Sequence, residues 1–190
     1  MIEQEYKFVD IEIAGTKLIH PFSIKDERGG MIKEYSRELF YDYGITFEPV
    51  ETLYIASKFG VIRGIHFQKV KEQAKLVRCI SGHLWGVVVD LRSESETLGK
   101  WCSVDLKPLV EVFVPEGCAF GTLAFEDSTF TCVCGEKFYA EYDDGIRWDD
   151  KDLSISWPLE YISNKVILSE RDRNLQTYHS YLKSIGKKNI

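Results

Sequence analysis

The sequence predicts an all-β protein, a sandwich or barrel of short strands with a short C-terminal helix. Three observations carry that reading. Short segments rich in β-branched and aromatic residues recur at roughly ten-residue spacing, Gly, Pro and Asp punctuate them, and helical periodicity is confined to two places. Many short strands have many edges, and closing the sheet on itself or on a second sheet is how such a chain removes them.

In chain order, Ser36–Tyr41 fits a short helix with Ser36 as its N-cap. Strands are predicted at Val61-Ile62, Leu76–Ile80, Leu84–Val89, Trp101–Leu106, Val110–Val114 and Thr129–Cys134. Between them lie the turn signals Ser81-Gly82, Leu98-Gly99, Lys107-Pro108, Glu116-Gly117 and Asp143-Asp144-Gly145. Leu175, Tyr178 and Leu182 fall on one face of a helix over 175–184, and residues 187–190 read as a frayed tail. No repeat, low-complexity tract or linker interrupts the pattern, so residues 1–190 are expected to form a single domain.

Composition narrows the function classes. The chain has 190 residues, 44% of them apolar, enough for a sizeable core. A net charge of −6 argues against a nucleic-acid partner, whereas the local cluster Arg63, Lys75 and Arg78 suits a small anion. No run of 18 apolar residues appears and the N-terminus is polar and acidic, so neither a membrane span nor a signal peptide is expected and the predicted location is the cytoplasm. The five cysteines are expected to be reduced, small and buried. Cys132 and Cys134 are separated by one residue, too few for a zinc knuckle or a redox pair. The four histidines are scattered, and no metal site is expected. Trp85, Trp101, Trp148 and Trp157 read as packing residues.

The chemistry-bearing stretch is Arg63-Gly64-Ile65-His66-Phe67-Gln68, followed by Lys75-Leu76-Val77-Arg78 and, late in the chain, Ser169-Glu170-Arg171-Asp172. A histidine among buried strands becomes a useful base when a carboxylate fixes its tautomer, and cations nearby can hold an anion. That combination points to proton abstraction from a carbon acid.

These segments, with Asp26-Glu27-Arg28-Gly29, Thr97–Trp101, Val114–Gly117, Gly145–Asp150 and Ile155–Pro158, resemble in order and spacing the motifs of the dTDP-4-dehydrorhamnose 3,5-epimerase family. The resemblance spans almost the whole chain. It implies a cupin-type jelly-roll barrel, a nucleoside-diphosphate 4-keto-6-deoxy sugar as ligand, inversion next to the ketone at C3, C5 or both, and no cofactor. It also implies a homodimer in which N-terminal residues complete the neighbouring site. By the same resemblance His66 is the base, Asp172 the carboxylate that orients it and Lys75 the cation at the enolate. Arg63, Gln68 and Glu51 line the substrate pocket, and Arg28, Tyr139 and Arg171 contact nucleotide or diphosphate.

The chain departs from the family pattern in places. The second active-site histidine is Phe120, an aspartate is Gly86, and an ungapped count from Gly121 puts the catalytic tyrosine at Val133. Phe120 and Val133 are therefore expected as apolar pocket wall, with bulk gained at Phe120 and lost at Gly86 and Val133 as one coupled change. Tyr139, Tyr54, Cys132, Cys134 or a water could stand in for the tyrosine. The two cysteines flank Val133 and are expected on the opposite face of the strand. Family Glu, Gln and Asn positions near the nucleotide are Lys33, Glu51 and Leu53, which leaves the base open. Two further readings stay beside epimerisation: a 3,4-ketoisomerase on the same substrates, and a catalytically impaired sugar-nucleotide-binding paralogue.

Overall fold

The computed structural model describes residues 2–163 and 165–187; most of the expected tail lies outside them. The N-terminal third supplies β1 (Ile2–Gln4), β2 (Lys7–Asp10), β3 (Lys17–His20), β4 (Phe22–Asp26), β5 (Gly29–Lys33), α1 (Arg37–Asp42) and β6 (Glu51–Ser57). The central strands are β7 (Ile62–Gln68), β8 (Lys75–Ser81), β9 (Leu84–Asp90), β10 (Trp101–Leu106) and β11 (Glu111–Val114). Then follow β12 (Cys118–Ala124), β13 (Ser128–Cys134), β14 (Asp143–Gly145), α2 (Glu170–Arg173) and α3 (Tyr178–Ser184).

Two sheets make the body, a five-stranded one in the order β10-β9-β12-β7-β14 and a six-stranded one in the order β2-β3-β11-β8-β13-β6. They face each other as a jelly-roll sandwich, and β1, β4 and β5 form a small third sheet. All pairings between these strands are antiparallel. Val77, Val88, Val104, Val112, Phe120 and Phe130 meet between the sheets. The outer face of the five-stranded sheet is covered by the C-terminal segment through Trp157, Tyr178, Tyr181 and Leu182. The outer face of the six-stranded sheet is covered by Phe40 of α1, with Phe47 and Phe113. With apolar cover on both faces, β12 is buried at all seven positions instead of alternating. The four tryptophans belong to the C-terminal layer, with Trp85 and Trp157 in ring contact at 5.0 Å.

The six predicted strands are present, and among the described residues the sequence reading missed eight others. β12 (Cys118-Ala-Phe-Gly-Thr-Leu-Ala124) mixes the strand formers Phe120 and Thr122 with Ala and Gly and, buried on both faces, shows no alternation. Ser36 occupies the N-cap of α1, yet its side chain makes no capping bond. At the other end, the Thr177 hydroxyl accepts from the Ser180 amide at 3.2 Å, so α3 begins at Tyr178 and Leu175 lies outside it. Among the described residues no helix is long and apolar enough to cross a membrane.

Candidate active site

His66 sits in the middle of β7, between Phe120 of β12 and Gly145 of β14. A Cβ at Gly145 would lie 2.5 Å from the Ile65 carbonyl oxygen and 3.1 Å from Cδ2 of His66, so glycine is what lets β14 pair this closely beside the imidazole. Its Nε2 meets Oδ1 of Asp172 at 2.6 Å. Asp172 is carried by the one-turn helix α2, whose N-cap Ser169 accepts from the Asp172 amide at 3.0 Å. Burial opposes ionisation of Asp172. The hydrogen bond and charge of His66, with Ser169 and the Gly64 backbone, outweigh it and hold the carboxyl below its usual range. A buried carboxylate fixed on Nε2 leaves Nδ1 as the ring nitrogen with no partner among the described residues.

The imidazole opens into a cavity of about 220 Å³ between the two large sheets, which His66 shares with Arg63, Lys75, Phe120, Cys132 and Arg171. Arg63 is pinned by Nε donation to the Ser57 hydroxyl at 2.9 Å and a bond to the Ala56 carbonyl at 2.8 Å. Arg171 pairs with Asp143 at 2.6 Å, and both line the same space. Three cations therefore surround the histidine. Phe120 closes one side, and a Cβ at Gly86 would lie 3.2 Å from its ring tip and 2.8 Å from Cγ2 of Val104. The phenyl ring thus occupies the room that a side chain at position 86 would take.

Five expected residues are not on the cavity wall, and each has a physical reason. Val133 points the other way, into the aromatic layer around Phe40 and Phe47. Along β13 the buried positions are Ser128, Phe130, Cys132 and Cys134, so it is Cys132 that lines the cavity with His66. The ungapped count from Gly121 runs through the β12–β13 turn, and one residue of difference there reverses the faces of the whole following strand. Gln68 is only 4% exposed and spends its amide inside the fold, donating to the Lys71 and Lys137 carbonyls and accepting from the Tyr139 amide. Tyr139 packs on Tyr142 with centroids 5.6 Å apart. Its neighbour Phe138 lines the cavity instead. Glu51 accepts from the Phe138 amide at 2.8 Å and so braces the loop that brings Phe138 in. Arg28 lies on the β4–β5 turn, paired with Asp26 at 2.5 Å and away from the cavity of its own chain.

The sequence reading missed Gln73 and Thr122 on the wall, and of the aromatic pair Phe138-Tyr139 it singled out Tyr139 where Phe138 lines the cavity. Alternation along the strands would have flagged Thr122 only with the faces known, and Gln73 and Phe138 lie on connections without a periodic signal. Among the described residues no group of three or more His, Cys, Asp and Glu side chains is arranged to hold a metal.

Comparison with known proteins places the chain in a consistent setting. The family model for dTDP-4-dehydrorhamnose 3,5-epimerase matches residues 10–180. The dTDP-4-dehydrorhamnose 3,5-epimerase of Methanothermobacter thermautotrophicus is 41% identical over 173 residues, covering 90% of this chain and 93% of that one. The rmlC epimerase of Mycobacterium tuberculosis superposes with a TM-score of 0.89 at 30% identity, covering 96% and 94% of the two chains. The 3,5-epimerase of Legionella pneumophila, solved with dTDP-4-keto-L-rhamnose, gives 0.86 at 29% identity, covering 91% and 93%.

Proposed function

We propose, for a chain that belongs to the dTDP-4-dehydrorhamnose 3,5-epimerase family, that His66 takes the proton next to the ketone of a nucleoside-diphosphate 4-keto-6-deoxy sugar. The protein is a nucleotide-sugar epimerase of deoxysugar biosynthesis. The observation that carries the assignment of its base is the 2.6 Å contact between His66 and the buried Asp172 at the wall of a cationic cavity.

The chemistry follows from that arrangement. Asp172 fixes the imidazole and stabilises the imidazolium that forms when Nδ1 accepts the proton. The electron pair left on carbon is delocalised onto the ketone oxygen, and the enolate needs positive charge close by in a site that excludes water. Lys75 supplies that charge, and Arg63, held in place by Ser57 and Ala56, adds to it. Arg171 lies where the diphosphate of the substrate adds two negative charges to the site. Residues 1–190 act as one domain, and the working form is a homodimer in which the exposed Arg28 reaches the partner's nucleotide. The substrate is a soluble metabolite and the protein works in the cytoplasm.

The dTDP-sugar bound by the Legionella relative makes the dTDP-linked sugar the first ligand to try. Glu51 and Leu53 lie near the cavity mouth, on the strand that carries Ile55 into it. Calorimetric titration with dTDP, UDP and GDP, each against wild type and His66→Ala, tests the reading. Binding retained in His66→Ala with turnover reduced about 100-fold or more supports it, and full turnover in the folded variant removes His66 as the base.

A further inference from the structure

Inversion of a carbon needs a base on one face and a proton donor on the other. His66 enters the cavity from the five-stranded sheet, through β7. The donor therefore has to come from the opposite wall, which is the six-stranded sheet. That wall contributes Leu53 and Ile55 from β6, Lys75 and Val77 from β8, and Phe130 and Cys132 from β13. Leu53, Ile55, Val77 and Phe130 have no proton to give. Only Lys75 and Cys132 do, and the enolate oxygen already draws on the charge of Lys75.

We propose that the thiol of Cys132 returns the proton to the substrate carbon on the face opposite His66. The proposal rests on the epimerase reading above and deepens it by naming the second proton carrier. Cys132 is 6% exposed, and its buried surroundings are apolar apart from the cavity itself. Its sulfur lies 3.8 Å from that of Cys134, two residues on and on the same inward face. The hydrogen bond to Cys134, and then burial, push the Cys132 thiol well above its ordinary range, so it holds its proton at neutral pH. An acid that gives up its proton only to a strongly basic carbanion is what this step asks for.

The step balances. The C–H bond breaks, its proton goes to Nδ1 of His66 and its electrons become the enolate. The S–H proton then moves to the opposite face of the same carbon, the new C–H bond forms and the sulfur is left as thiolate. Lys75 tempers that thiolate charge. Water reaching the cavity returns a proton to Cys132 as His66 releases its own to water, so the enzyme is restored and neither protons nor electrons are gained or lost overall. A donor on the second wall also removes the reason for preferring a one-face ketoisomerase.

The test uses purified wild type, Cys132→Ala, Cys132→Ser and Lys75→Met with dTDP-4-keto-6-deoxyglucose in D2O, followed by proton NMR. Wild type is expected to incorporate deuterium and invert. Cys132→Ala is expected to keep His66-dependent deuterium incorporation while inversion falls about 100-fold or more. Cys132→Ser, close in size and a far weaker acid, is expected to show the same split, which guards against a packing defect in the alanine variant. Inversion at the wild-type rate in either folded variant overturns the role of Cys132 and leaves the epimerase reading standing. Exchange without inversion in Lys75→Met alone overturns it in favour of the lysine. A wild type that neither exchanges nor inverts this sugar, or its UDP- and GDP-linked counterparts, removes both readings together.

Discussion

Oδ1 of Asp172 lies 2.6 Å from Nε2 of His66 although the two residues are 106 positions apart. The contact joins the middle of a core strand to a one-turn helix near the C-terminus, so the pair forms only when the whole sandwich has closed. Asp172→Asn keeps the shape of that contact and removes its charge. The variant is expected to lose about 100-fold or more in kcat with KM changed only a few-fold, measured from initial rates by NMR or a coupled assay. Comparable losses in kcat and in nucleotide binding would mean that Asp172 supports the fold and not the imidazole.

Lys75 begins β8 and faces the cavity beside Cys132. Lys75→Met preserves the stem and deletes the charge, so enolate formation is expected to slow about 100-fold or more. The readout is the rate of deuterium entry next to the ketone, which reports the enolate whether or not inversion follows. An unchanged exchange rate would leave Arg63 as the cation that matters.

Gly86 and Phe120 share one volume. A methyl group at position 86 meets Val104 at 2.8 Å and Phe120 at 3.2 Å in a fully buried layer. Gly86→Ala is therefore expected to lower stability by about 1–3 kcal/mol, seen in urea or thermal unfolding. A variant as stable as wild type would show that the layer has slack.

Glu111 is fully buried on β11, and neither carboxylate oxygen has a hydrogen-bond partner among the described residues. Burial raises its pKa from 4.5 to about 8, with the charge of Arg78 pulling partly the other way. A raised folded-state pKa favours the folded protein fully at acidic pH, and that contribution is lost as pH climbs from 4.5 through about 8. Asp172 runs in the opposite sense, since its lowered pKa contributes stability at neutral pH that disappears on acidification. Glu111→Gln is expected to flatten the alkaline decline, a difference on the order of 3–5 kcal/mol across that window. Thermal melts of both proteins between about pH 5 and pH 8 check it, and parallel curves would contradict it.

How far the sequence could be read follows from where its signals lie. The strands Leu84–Val89 and Thr129–Cys134 announce themselves through β-branched runs, one in each of the two large sheets. The N-terminal strands hold Gly, Lys and Asp beside few apolar residues and give no such signal, and β12, buried on both faces and interrupted by Ala and Gly, shows no alternation. In the site, His66, Lys75, Arg63 and Arg171 were legible because each belongs to a motif that carries its own spacing. Cys132 was not. It was named beside Val133, but which of two neighbours faces the cavity depends on strand parity, and one residue in a turn decides parity. Gln68, Glu51 and Tyr139 belong to the same region and serve it as braces, a distinction that only their hydrogen bonds and packing reveal.

The most direct test of the account is proton NMR of wild type and His66→Ala in D2O with dTDP-4-keto-6-deoxyglucose and its UDP- and GDP-linked counterparts. Deuterium entering C3, C5 or both with wild type, inverted product coupling constants, and neither change with His66→Ala is the result the account predicts. Tight binding of one of these sugars by the wild type with no deuterium at either carbon would contradict it.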